Sequence, residues 1–185
     1  MAWPEKVIRQ FQTVPQNPNE SDFYGPYNKL LYYLFPALRL RLHCCPTIHQ
    51  SSIRQAPNWV VTFEVLFESR PVFIVELKKP ADIQYISRRQ TADEQIRERL
   101  GNLSAECPIS TLHAVSAIGT QLCFYHVDTT NTEAPMIPPR ITPRNPNIVT
   151  DTAPVEWWDC DIMDAQGEAR FCTVVDEIKQ ACARL

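Results

Sequence analysis

Along the chain, runs of apolar, strand-forming residues alternate with polar stretches of helical spacing. From residue 58, "NWVVTFEVLFE" puts Trp59, Val61, Phe63, Val65 and Phe67 at odd positions. That alternation predicts a strand over 58–67 with these side chains toward a core. "SRP" turns the chain back, and "VFIVELK" predicts a return strand over 72–78, so the two form a β-hairpin. Upstream, Tyr27, Leu30, Leu31, Leu34 and Leu38 recur at helical spacing and predict a helix over about 26–43. Pro26 suits its first turn and Pro36 should kink or split it. A short helix is expected at 4–12, inside an otherwise irregular lead over 1–20. After the hairpin, "ADIQYISRRQTADEQIRERLGNLSAE" predicts a polar helix with Ile96, Leu100 and Leu103 on one face and an interruption near Gly101. "TLHAVSAIG" and "QLCFYHVD" predict two more strands joined at Gly119–Thr120. "EWWDCDIM" suggests a short strand. Phe171, Val174, Val175 and Ile178 mark an amphipathic helix at the C-terminal end. This order of helices and strands implies an α/β or α+β sandwich, a mixed β-sheet flanked by helices, with 1–185 as one domain.

Sixteen prolines against four glycines is an unusual ratio. Many of the prolines fall in 4–46 and 135–154. The second stretch, "APMIPPRITPRNPNIVTDTAP", predicts an extended arm over 134–155 on a folded body.

Charge and cysteine content narrow the function classes. The net charge of −3 gives no global field toward nucleic acid, so any such surface is local. No apolar run has the length of a membrane span, and "MAWPEKVIRQ" lacks an apolar signal core. Seven cysteines with no C-x-x-C pair read as reduced thiols, pointing to cytoplasm or nucleus. We read Cys44 and Cys45 as a helix end near the core rather than as metal ligands.

The chemistry concentrates at the hairpin. Asn58, Thr62 and Glu64 share the even face of the first strand; Glu76 and Lys78 share one face of the second. An odd-numbered hairpin loop puts both sets on the same side of the sheet; an even-numbered loop separates them. The first case keeps the two apolar faces together and is the one expected. Neighbouring carboxylates raise each other's pKa unless a cation intervenes. Mg²⁺ or Mn²⁺ is such a cation, and a lysine beside it can hold water or neutralise a phosphate.

At these residues, "PNWVVTFEVLFESRPVFIVELKK" resembles the signature of the PD-(D/E)XK nuclease-like superfamily. Glu76, Leu77 and Lys78 match its (D/E)-x-K triplet, and Pro57 matches its proline. Asn58 stands where the metal-binding aspartate is expected. The resemblance spans about residues 20–130 and implies a restriction-endonuclease-like fold. Its core order is a helix, a hairpin, a helix after the lysine and a further strand. It implies Mg²⁺-dependent phosphodiester hydrolysis of nucleic acid. Glu64, Glu76, Asn58 and the Leu77 carbonyl would hold metal, Lys78 would position water, and Gln95 would support the site. Glu20 or Asp22 would be the acidic residue of the first helix. The run "ADEQIRERLGNL…LHAVSAIGTQLCFY" is also similar to an expanded group of uncharacterised fungal proteins.

Asparagine is a neutral and weaker Mg²⁺ ligand, and it leaves two accounts open. Glu64 takes the aspartate's place, or the site is degenerate and the fold serves as a protein- or nucleic-acid-binding module. A protein partner or a homodimer is compatible with either.

The remaining candidates have plainer readings. Arg88, Arg89, Arg97 and Arg99 could contact phosphates, but the interleaved Asp93, Glu94 and Glu98 suggest i,i+4 pairs. His113 and His126 read as packed or edge histidines. Ser116 lacks the context of a serine hydrolase. Trp157 and Trp158 read as packing the arm or the final helix. Glu76 and Lys78 are expected at the exposed end of their strand, so that replacing either leaves the fold intact.

Overall fold

The architecture comes from a computed structural model. It describes residues 3–36, 42–51, 58–131, 133–143, 145 and 149–185, without the side chains of 48–51 and 58–60. Helices α1 (Glu5–Gln12) and α2 (Tyr24–Leu34) precede strands β1 (Leu42–Ser51), β2 (Asn58–Phe67) and β3 (Arg70–Lys78). Helix α3 (Ile86–Leu103) leads into β4 (Thr111–Ile118) and β5 (Gln121–Asp128). A two-residue β6 (Cys160–Asp161) and helix α4 (Ala165–Cys182) follow. The six strands form one sheet in chain order. Each neighbouring pair is antiparallel except β3 and β4, which are parallel and joined through α3, as a parallel pair requires.

The α/β class and the mixed sheet flanked by helices agree with the pattern. The near-continuous apolar character of β3 has a direct cause: it lies inside the sheet with both faces covered, and Pro71 to Leu77 are all buried. Phe73, Val75 and Leu77 face α1, α2 and α4, packing with Phe11, Tyr27, Leu30, Phe171 and Ile178. Ile74 faces α3, with Ile96, Leu100, Ala114 and Tyr125. Each such side chain contributes about 1.5–3 kcal/mol through burial.

The hairpin pairs as expected, but by an unexpected route. Its loop is even-numbered: Glu68 and Ser69 both have positive φ, 48° and 68°, the sign pattern of a type I′ turn. An even loop alone would place the two polar sets on opposite faces. The pairing instead shifts from Leu66↔Pro71 to Val65↔Phe73, leaving Val72 as an extra residue in β3. This bulge restores the parity, so Thr62 pairs with Glu76 and Glu64 with Ile74 on one face.

Three other expectations are corrected. Residues 42–51 form an edge strand, so Cys44 and Cys45 lie in β1 and not at a helix end. Pro46 hid it, since proline is tolerated in a sheet at an edge. Helix α2 stops at Leu34, ahead of Pro36, because the residue before a proline disfavours the helical conformation. Leu38 lies outside the described residues. The N-terminal lead is part of the core: Val7 and Phe11 are buried, and Trp3 Nε1 donates to the Ile162 carbonyl at 2.6 Å.

The proline-rich arm lies against α3. Arg89 donates to the Ala153 carbonyl at 2.9 Å and pairs with Asp151; Arg97 donates to the Pro138 carbonyl at 2.8 Å. Arg97 also pairs with Asp93, the i,i+4 contact expected of this helix. Trp158 is buried in the same layer, and Trp157 packs against it. All seven cysteines are free. Among the described residues, no helix is long and apolar enough to cross a membrane.

Two predictions follow from packing and burial. A Cβ at Gly167 would sit 1.9 Å from the Asp161 carbonyl oxygen, where backbone cannot retreat. Gly167→Ala should cost about 2–3 kcal/mol and lower Tm by roughly 5–10 °C in a thermal melt. His113 is packed, as expected, and burial together with facing His126 pushes its pKa down to about 4. Glu177 lies 3.6 Å away but is exposed, so its opposing pull is screened. The unfolded imidazole accepts a proton near 6.5, which the folded one resists. The stabilisation is therefore full above pH 6.5 and is lost as pH falls toward 4, by about 3 kcal/mol. His113→Gln should flatten that acid limb in urea melts; an unchanged limb would place the acid sensitivity elsewhere.

Candidate functional site

The polar groups anticipated at the hairpin converge under α3, at the carboxyl end of β3. Glu76 is fully buried between Thr62 of β2 and Ser116 of β4, its partners in register. Lys78 Nζ lies 2.9 Å from Glu76 Oε1, with its side chain 12% exposed. The expectation of an exposed strand end is therefore wrong: β3 lies inside the sheet, with Glu76 fully buried and Lys78 nearly so. Glu20, in the 3-10 turn Glu20–Phe23 leading into α2, brings its carboxylate to 4.0 Å from the same Lys78 nitrogen. Tyr24 donates to Glu20 at 2.8 Å. Of the two acidic candidates near the first helix, Glu20 reaches the site. Asp22 instead accepts the Asn19 backbone N–H at 2.8 Å.

The lysine's backbone is fixed independently. Gly119, at φ 64°, donates its N–H to the Lys78 carbonyl at 2.8 Å and accepts the buried Tyr27 hydroxyl at 2.8 Å. A side chain at 119 would be strained and would press on Pro80, 2.6 Å from its Cβ position.

The electrostatics follow from burial. Desolvation raises the Glu76 pKa above its ordinary value, Lys78 opposes the rise, and Glu20 and Glu98 add to it. Burial alone would lower Lys78, but Glu76 and Glu20 outweigh it and the ammonium is stabilised. Glu76 Oε1 and Lys78 Nζ form a close ion pair, and among the described residues neither Glu76 oxygen has a further hydrogen-bond partner. The Gln95 amide on α3 and the Ser116 hydroxyl on β4 are buried and equally unsatisfied. Buried groups without a protein partner are uncommon in folded proteins and mark an ordered water, a bound ion or a functional group; Trp158 Nε1, in the layer under α3, is another.

Each sequence-derived residue can now be placed. Glu76, Lys78 and Gln95 lie in the layer between sheet and α3. Glu64 shares the face but is engaged: Arg99 of α3 donates to its Oε1 through Nε at 2.9 Å and through Nη2, and Thr62 Oγ1 lies 3.4 Å away. Arg99 is thus a structural counter-ion rather than a free phosphate contact. Leu77 buries its side chain in the opposite layer, leaving only its carbonyl for a ligand role. Asn58 opens β2, four residues ahead of Thr62, and its side chain lies outside the described residues, as does all of Pro57. Ser116 and the pairing of Arg99 with Glu64 were missed; neither has a signal short of knowing the strand register.

Comparison with known proteins gave no match: no family model, no curated protein and no solved structure is similar to this chain.

The oxygen donors present are the Glu76 carboxylate, the Gln95 carbonyl and the Glu20 carboxylate. They suit a hard divalent cation that takes one or two carboxylates. Among the described residues, no three His, Cys, Asp or Glu side chains group to hold a metal ion. A metal here would thus lean on the amide and water.

Because the Glu76 pKa is raised, its ionisation opposes folding. That cost is absent below the ordinary glutamate value of 4.5, grows as pH rises through the folded value, and is limited by Lys78. Lys78→Met should therefore cost about 3–5 kcal/mol at neutral pH and much less in acid, measured by denaturant melts. Adding Glu76→Gln should recover most of the loss; equal losses at both pH values would show that the two residues are not coupled.

Proposed function

We propose that this chain hydrolyses phosphodiester bonds in nucleic acid with the help of Mg²⁺ or Mn²⁺, from a PD-(D/E)XK-type site. One observation carries the proposal: a fully buried carboxylate, Glu76, ion-paired to Lys78 and with no further partner among the described residues, on the sheet face covered by α3, which also carries the buried, unpartnered Gln95 amide. A structural ion pair would be expected to satisfy its remaining lone pairs within the protein. Its context supports the same reading, since α2, the β2–β3 hairpin, α3 and β4 occur in the order that the resemblance implies. On this reading the fold is restriction-endonuclease-like.

The roles follow from chemistry. Glu76 and Glu20 would hold the metal together with the Gln95 carbonyl. The bound ion would supply positive charge for the phosphate and for the leaving oxygen. Without metal, Glu76 and Glu20 keep Lys78 protonated; as an ammonium it would act as a hydrogen-bond donor that orients water or stabilises charge on the phosphate. Gly119 and Tyr27 hold the lysine backbone in place.

A second reading is a catalytically degenerate binding module, which two features favour. Asn58 replaces the expected aspartate, and Arg99 supplies at Glu64 the positive charge a metal would otherwise bring. Glu64 is therefore withdrawn from our proposed ligand set.

Calorimetry with Mn²⁺ and a cleavage assay on labelled oligonucleotides separate the two. Wild type should bind metal and cleave; Glu76→Gln should abolish both, and Lys78→Met should lower the rate by roughly 10²-fold in protein shown to be folded. Asn58→Asp should strengthen metal binding and raise the rate. Binding that appears only in Asn58→Asp would sink the enzyme and leave the module.

A further inference from the structure

The segment after Lys78 is anchored by buried Asp82 and by Ile83, which packs on the core, and it presents an exposed lip to solvent. Tyr85 is 61% exposed and Ile86 40% exposed, and Lys79 and Arg88 extend into solvent beside them. Tyr85 occupies the position before α3, where Ser, Asp or Asn would cap the helix, and its side chain makes no capping hydrogen bond. The first turn holds Arg88 and no acidic residue, against the preference set by the helix dipole. Stability would have selected other residues at each of these positions.

The lip is tied to the site. Pro80 lies against Gly119, whose N–H holds the Lys78 carbonyl. The Tyr85 N–H donates to the Asp82 carbonyl at 3.1 Å. The Asp82 carboxylate lies 4.0 Å from both Lys79 Nζ and Arg88 Nε, and its charge also reaches Lys78. Lys78 is already held by Glu76 and Glu20, so Asp82 faces two cations, Lys79 and Arg88, and the lip carries one positive charge in excess although the chain as a whole is negative.

We propose that this lip binds single-stranded nucleic acid, with an unpaired base stacked on Tyr85 and flanking phosphates on Lys79 and Arg88. It rests on the phosphodiester reading for its place beside Lys78. An exposed ring on the same short segment as two solvent-reaching cations suits a strand whose bases are free to stack. Duplex bases are already stacked and cannot lie on Tyr85. The inference thus names the substrate class as unpaired strands or ends.

The test uses the full chain in EDTA, so that binding is read without cleavage, by anisotropy of a labelled oligo(dT) and a labelled duplex. Wild type should prefer the single strand. Tyr85→Ala should weaken that binding about fivefold to a hundredfold, while Tyr85→Trp retains it. Tyr32 is similarly exposed but carried on α2, and Tyr32→Ala should have no effect. Joint Lys79→Gln and Arg88→Gln should reduce the salt dependence by a log–log slope of about 1.4, the value for two phosphates of a single strand. Absence of single-strand binding, equal affinity of Tyr85→Ala and wild type, or an equal loss on duplex would each overturn the lip. Tyr85-dependent binding without Mn²⁺-dependent cleavage would instead sink the nuclease reading and leave the lip standing.

Discussion

The candidate site depends on one extra residue in β3. Strand β3 is covered on both faces, so its side chains from Pro71 to Leu77 are committed to one layer or the other. A two-residue turn at Glu68–Ser69 would by itself set β2 and β3 in the wrong parity. Val72 absorbs the mismatch, and Glu64, Glu76 and Lys78 then lie together beneath α3. Without the bulge, Glu76 would enter the apolar layer against α2 and α4, where Phe73 and Leu77 now pack. Polar chemistry and packing thus rest on the same local irregularity.

The central position of β3 then determines the site's electrostatics. At its carboxyl end β3 has neighbours on both sides, so Glu76 is desolvated and Lys78 nearly so. Desolvation favours the neutral carboxyl, while the ammonium favours the anion. The two are held in opposition, with Glu20 stabilising the lysine from the other side. Such a group responds strongly to any further charge brought near it, as a metal ion or a phosphate would be.

Helix α3 divides its residues between two tasks. Ile96, Leu100 and Gln95 face the sheet, and Arg99 reaches down to neutralise Glu64. Arg89 and Arg97 hold the proline-rich arm by its Ala153 and Pro138 carbonyls. Of the arginines that could have met phosphate, three are thereby occupied. Only Arg88, on the loosely paired first turn, remains available for contact.

Much of this was legible in the sequence because it depends on local pattern. The period-two alternation of 58–67, the apolar run of 72–77 and the helical spacing of Ile96, Leu100 and Leu103 each reflect which side of an element is buried, although the interruption expected near Gly101 is absent and α3 runs through it. The E-x-K spacing of Glu76 and Lys78 needs only the pleat to put both on one face. Other features depended on contacts distant in the chain. Strand β1 is an edge with a proline and a weak pattern, and its place is set by pairing with β2. The even turn and the bulge cancel each other, which no count of loop residues reveals. Burial of Glu76 comes from β4 and α3, more than nine residues away in the chain. The choice of Glu20 over Asp22, and the capture of Glu64 by Arg99, were decided by which side chains the tertiary structure brings within reach. Sequence determined the elements and the residue types of the site; only the tertiary structure decided which charges meet, because Coulomb energy depends on separation in space and on burial, and neither is written in the order of residues.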